Sequence, residues 1–158
     1  PAIAEVFNSL PQAVLGGCAL LCMAGIFLAS SQNIGQSNAL SGSLADAILG
    51  HQPDAVRQTA NYLLRKAAHF SSYALLAALL TLIQLPFSTR PGTKWLSAFL
   101  CSGFYAALDE WHQTFVPGRT GSLRDVAIDL CGAALGAGLV LFIVSIRKKR
   151  KHDRQERS

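Results

Sequence analysis

Apolar residues along this chain gather into four long runs separated by polar stretches, with no period-two alternation anywhere. Runs of that kind predict helices, and about 20 apolar residues are what a helix needs to cross a bilayer's hydrocarbon core. The first run covers about 13–29. The second covers about 67–85 and is stopped by Pro86, the third covers about 95–113, and the fourth about 126–146. The expected fold is therefore all-α, a four-transmembrane-helix bundle. The stretch from Ser30 to Lys66 is polar, yet Val56, Ala60, Leu63, Leu64 and Ala67 recur at helical spacing behind Asp54, a candidate N-cap after Pro53. That pattern predicts an amphipathic interfacial helix between the first and second spans, running into the second. Leu40, Leu44 and Ile48 predict a shorter interfacial turn stopped by Gly50.

Composition sharpens the membrane reading. Of 158 residues, 51% are hydrophobic and only 15% charged, and the apolar ones are too clustered for an ordinary soluble core. No Lys or Arg precedes the first run, so it is expected to be a retained span and not a signal peptide. The net charge of +5 is concentrated in Arg147-Lys148-Lys149-Arg150-Lys151, Arg154 and Arg157. A basic tail directly after an apolar helix, residues 147–158, marks a cytoplasmic end, and nucleic acid is not an expected partner. With four spans, that tail shares a side with Arg90 and Lys94, placing nine of the 14 Lys and Arg residues there. Both termini are then expected in the cytoplasm of a multi-pass plasma-membrane protein. Cys18, Cys22, Cys101 and Cys131 all lie inside apolar runs; buried packing is expected of Cys18 and Cys22, and no disulfide framework is implied.

The chemistry concentrates at one end. An ionised carboxylate in hydrocarbon costs roughly 2.5–3.5 kcal/mol on insertion scales, yet Asp109 and Glu110 close the third run. Lys66, His69 and Tyr73 form one helical stripe, Asp109 and Gln113 a second, and Asp125 and Asp129 a third, continued by Gly132 and Gly136. The four-span topology brings all three stripes to the outer membrane face, with the Pro117-Gly118 turn and Arg119 folding over them. Adjacent residues point roughly 100° apart on a helix, so Asp109 and Glu110 are not expected to share a partner. Asp109 is expected inward beside Gln113, and Glu110 on Arg119, Arg124 or a neighbouring loop.

The combination of Arg65-Lys66-x-x-His69-Phe70-x-x-Tyr73, Asp109-Glu110-x-His112-Gln113-x-Phe115-x-Pro117-Gly118-Arg119, Ser122-x-x-Asp125-Val126 and Gly132-x-x-x-Gly136 resembles the VanZ-like family. Ser30-Ser31-Gln32 after the first span is similar to that family's pattern as well, so the resemblance covers about residues 12–146. It implies a small four-helix integral membrane protein acting at the cell envelope, in a family named for an accessory determinant of resistance to the glycopeptide teicoplanin.

The residues, together with what the resemblance implies about the cell envelope and glycopeptides, leave two functions of different class. One is a pocket of Lys66, His69, Tyr73, Asp109, Glu110, Gln113, Arg119 and Asp125 that binds an anionic envelope lipid, a lipid-linked precursor or a glycopeptide. Guanidinium forks suit phosphate and carboxylate alike. The other is an intramembrane enzyme on lipid head groups, with His69, Asp109 or Glu110 as catalytic acid or base and Arg119 holding phosphate. Ser71, Ser72 and Ser122 lack a nucleophile's context. A third reading, that the cluster only holds the helices together, predicts ion pairs among these same groups. No cofactor is expected, and no metal, because His69, Asp109, Glu110 and Asp125 show no HExxH-like spacing.

Overall fold

A computed structural model describes residues 12–33 and 53–156, together with positions 35, 37, 39, 42–44, 47 and 50. Four long helices appear: α1 Gln12–Ser30, α2 Asp54–Ile83, α3 Pro91–Gln113 and α4 Leu123–Gln155. No strand occurs among the described residues. The expected interfacial turn cannot be followed through Leu40 and Ile48, which lie outside the described residues, but Leu44 is helical and Gly50 takes φ +71°.

Helix boundaries follow local chemistry. Pro91 opens α3 at the first helical position, where its missing N–H is no loss. At α2 the expected cap shifts by one: Pro53 is the N-cap and Asp54 the first helical residue. The carbonyl of Pro53 accepts from Val56 N and Arg57 N at 2.9 and 3.1 Å, so the proline, with φ −54°, is already set for the helix. The expected interfacial segment and second span are one continuous helix. The basic residues after Ile146 likewise continue α4 to Gln155 instead of leaving it.

The four helices alternate in direction. Phe70 and Ala74 of α2 face Gly132 and Gly136 of α4, so those two run parallel. Tyr105 of α3 donates its hydroxyl to Met23 O at 2.7 Å and Asp109 meets Ser30, so α1 and α3 also run parallel. Trp95 Nε1 donates to Ala134 O at 3.1 Å while Glu110 meets Ser122, which sets α3 antiparallel to α4.

The interior is built from small residues. One cluster is Ala77, Ala98, Ala133 and Ala137, and another centres on Ala19, Tyr73 and Ala106. Large apolar side chains such as Leu20, Leu21, Phe104, Leu139 and Phe142 point outward. Small-in, large-out is the reverse of a water-soluble core and suits helices packed in lipid. Three helices, α1, α2 and α4, are long and apolar enough to cross a membrane. α3, expected as the third span, falls outside that set because it carries Lys94, Asp109 and Glu110. Lys94 is buried at its far end, donating to Leu85 O and Phe87 O at 3.1 and 2.8 Å.

The burial expected of Cys18 needs correction. Cys18, Cys101 and Cys131 are exposed on the outer surface of the bundle, and only Cys22 is half-buried, with Sγ 3.7 Å from Ser72 O. Apolar neighbours in sequence placed them in the spans, not in the core.

Candidate functional site

The topology makes α1 and α3 end where α4 begins, beside the second quarter of α2, and the polar residues meet there. The turn from Val116 to Arg119 closes over this end. Arg119 N donates to Val116 O at 3.0 Å, Pro117 sets the first corner, and Gly118 takes φ +77° at the second, a conformation only glycine adopts without strain.

Both acids of α3 are inside, with Asp109 at 3% and Glu110 at 5% exposure. Asp109 Oδ2 accepts from Ser30 Oγ at 2.8 Å and from Gln113 Nε2 at 3.1 Å. The same Gln113 amide is 3.1 Å from Glu110 Oε1, so the two acids do share a partner. Residue 113 lies four positions past one acid and three past the other, and both spacings bring a side chain onto the same face. Glu110 Oε2 accepts from the backbone N–H of Ser122 at 2.8 Å, holding the loop that enters α4. A Cβ on Gly121 would meet Glu110 O at 2.6 Å, so this loop needs glycine to lie so close.

The remaining groups sort into pairs. Lys66 forms an ion pair with Asp125. His69 Nδ1 faces Asp129 Oδ1 at 3.7 Å, not Asp109 or Glu110 as a histidine at that stripe would suggest. Asp129 is fully buried and neither of its oxygens accepts a hydrogen bond; the Tyr73 hydroxyl, also fully buried, has none either. His69, Glu110 and Asp129 each offer one donor atom, and these atoms lie within 4.8 Å of one another.

Arg119 makes no ion pair among the described residues. Its guanidinium donates to two neutral carbonyl oxygens, Gln113 Oε1 at 3.1 Å and Ala29 O at 3.4 Å, and its Nε is unbonded. Burial first, then the positive charge of Arg65, lowers its pKa from the ordinary arginine value. Two guanidinium groups thus face one space. That space is a cavity of about 200 Å³ lined by Arg65, Lys66, His69, Gln113, Gly118, Arg119, Thr120 and Asp125.

Of the expected residues, Lys66, His69, Gln113, Arg119 and Asp125 line the cavity, while Tyr73, Asp109 and Glu110 lie behind it. Arg65 and Ser30 were not among the expected pocket residues, whereas Asp129 was expected at the same face with its stripe. Arg65 was visible as half of the Arg65-Lys66 doublet, and Asp129 as the second residue of the Asp125 stripe. Ser30 was visible only through the Ser30-Ser31-Gln32 resemblance, and its partner, 79 positions away, was not. His112 sits beside the site, its ring 4.6 Å from Phe27 and its Nε2 3.2 Å from Ser31 Oγ.

Residues 17–144 match the family model described as VanZ/LLP1. No curated protein and no solved structure matches the chain.

Proposed function

We propose, from the premise that this chain belongs to the VanZ/LLP1 family, that it is a membrane protein whose polar cavity holds an anionic head group. The ligand class is an envelope lipid, a lipid-linked precursor or a glycopeptide, and the role is accessory, in cell-envelope or antibiotic tolerance. One observation carries the reading: two guanidinium groups, Arg65 and Arg119, line one cavity with no carboxylate partner among the described residues, while Lys66 is paired with Asp125 and His69 faces Asp129. An anion with several oxygens offsets both charges and fills the unused N–H positions of both forks. The cavity lies at the ends of helices apolar enough to cross a membrane, which is where an amphiphile's head group sits.

In this reading α3 is the fourth crossing. Its 23 residues extend roughly 34 Å at 1.5 Å each, and Lys94 and Asp109 mark its two ends. The first turns of α2, with Val56 and Leu63 exposed, lie in the interface, and the basic end of α4 is cytoplasmic, which turns the cavity outward. Thiol labelling tests that orientation. Ser122→Cys, in a chain with its four cysteines replaced by alanine, is expected to react with an impermeant reagent from outside intact cells; labelling only after the cytoplasmic side is opened would overturn it.

Binding is tested by native mass spectrometry of purified protein with phosphatidylglycerol against phosphatidylcholine. Losing one charge-assisted hydrogen-bonding group is worth about 1.5–3 kcal/mol, so Arg65→Ala and Arg119→Ala should each weaken retention of the anionic lipid about tenfold or more. Equal retention of both lipids, or no change in either variant, counts against a head-group site.

A second reading is favoured by the dyad in the cavity wall. His69 lines the cavity with Nδ1 turned toward a buried carboxylate, the arrangement that orients an imidazole for acid–base work. It makes the protein an enzyme on lipid head groups, with His69 as acid or base and Arg119 holding phosphate. Asp109, tied to Ser30 and Gln113 behind the cavity, takes no part. Turnover of a lipid-linked substrate, lost in His69→Ala, would support it, and purified protein without turnover would not.

A further inference from the structure

Beneath the cationic cavity lies a layer of opposite sign. Asp109, Glu110 and Asp129 are all buried there, while Lys66 is committed to Asp125 and Arg119 to neutral carbonyls. Asp109 and Glu110 are supplied with hydrogen bonds. Asp129 is not: both its oxygens are bare at zero exposure, and His69 is its one ion-pair partner among the described residues.

A protonated His69 paired with Asp129 does not solve this. At 3.7 Å the contact is too long for a hydrogen bond, and it leaves Oδ2 with nothing. Burying a carboxylate is costly unless it is both paired and hydrogen-bonded. The separation has another meaning. Two donors each about 2.1 Å from a shared ion in tetrahedral coordination stand roughly 3.4 Å from one another, a few tenths of an ångström inside the His69–Asp129 separation. Glu110 supplies a third donor atom within the same 4.8 Å group, and its carboxylate is already oriented by Gln113 and Ser122. The Tyr73 hydroxyl, one turn beyond His69, is a further unbonded oxygen in this layer, close enough for the charges of Asp109, Asp129 and Glu110 to act on it.

We propose that His69, Glu110 and Asp129 bind a divalent ion of the zinc class. Neutral imidazole nitrogen and two carboxylates match that ion in donor type and cancel its charge. Three protein ligands leave a coordination position open, and His69 also lines the cavity, so that position faces the space where the head group sits. Binding of the ion does not depend on the head-group reading and is measured without lipid.

The test uses the full chain, free of any affinity tag, stripped with chelator in lipid-free detergent and dialysed against zinc. One equivalent per chain is expected by elemental analysis. His69→Gln and Asp129→Asn should each weaken zinc binding at least tenfold, and His152→Ala, which removes the exposed His152–Glu156 pair, should leave it unchanged. A stripped wild-type chain that takes up no zinc overturns the proposal, as does full retention by both ligand variants or loss in His152→Ala. Should those variants misfold, cobalt in the wild-type chain decides: visible bands of a low-coordinate nitrogen–oxygen site, bleached by zinc, support it. A thiolate-to-cobalt band would place the ion on a cysteine and overturn it. Arg119→Ala separates the two proposals, since it should lose anionic lipid while keeping zinc.

Discussion

The crossing of α2 and α4 makes the sharpest quantitative prediction. A Cβ placed on Gly136 would lie 2.6 Å from the carbonyl carbon of Ala74 and 2.8 Å from its Cα, with the carbonyl oxygen closer still. Ordinary contact between such atoms is about 3.5 Å or more, so α4 would have to retreat by the better part of an ångström. The obstacle is backbone in the middle of a 30-residue helix, which cannot rotate aside as a side chain would. Overpacking of this kind costs about 1–3 kcal/mol. Alanine returns about 1 kcal/mol of helix propensity at either Gly136 or Gly25, so Gly136→Ala should be up to about 2 kcal/mol less stable than the wild type and about 1–3 kcal/mol less stable than the Gly25→Ala control. Gly16 and Gly25 of α1 have nothing within 4 Å of an added Cβ, so Gly25→Ala receives the propensity gain alone and should be neutral or slightly stabilised. Reversible unfolding of both variants in mixed detergent micelles measures the difference. If Gly136→Ala is as stable as Gly25→Ala, the close approach of α4 to the α2 backbone is wrong.

Two more expectations bear on the buried polar layer. Ser30→Ala removes the 2.8 Å bond to Asp109 with no water to replace it, and should cost about 1–3 kcal/mol in the same unfolding assay. An unchanged midpoint would mean that Asp109 does not depend on α1. Lys66→Asp alone sets two acids face to face, whereas Lys66→Asp with Asp125→Lys restores the pair, and the double variant should regain most of the stability lost by the single one. Additive losses would exclude the Lys66–Asp125 contact.

Much of this arrangement was readable in the chain. The apolar runs located all four helices, and the Lys66/His69/Tyr73 stripe proved to be one face of α2 with Tyr73 at its buried end. Periodicity reads faces well because a helix repeats every 3.6 residues. It says nothing of which helix comes opposite, and there the reading failed. His69 faces Asp129, a partner the stripes alone did not single out, because α4 approaches α2 on its glycines and carries Asp129 in with it. The angular rule that separated Asp109 from Glu110 was correct for their Cβ directions. It overlooked that Gln113 is long enough to reach both. Arg119 was given a carboxylate partner by proximity in sequence, whereas its reach to Ala29 depends on where α1 ends. The exposed cysteines show the remaining gap: in lipid, an apolar neighbourhood in sequence does not distinguish the inside of a bundle from its rim.

The glycine crossing also sits directly beside the site's buried pair. Phe70, which rests on Gly132, follows His69 by one residue, and Gly132 follows Asp129 by three. The His69–Asp129 separation is therefore fixed by the tilt of one long helix against the other and by little else. Whatever changes the angle between α2 and α4 would also change the distance between His69 and Asp129.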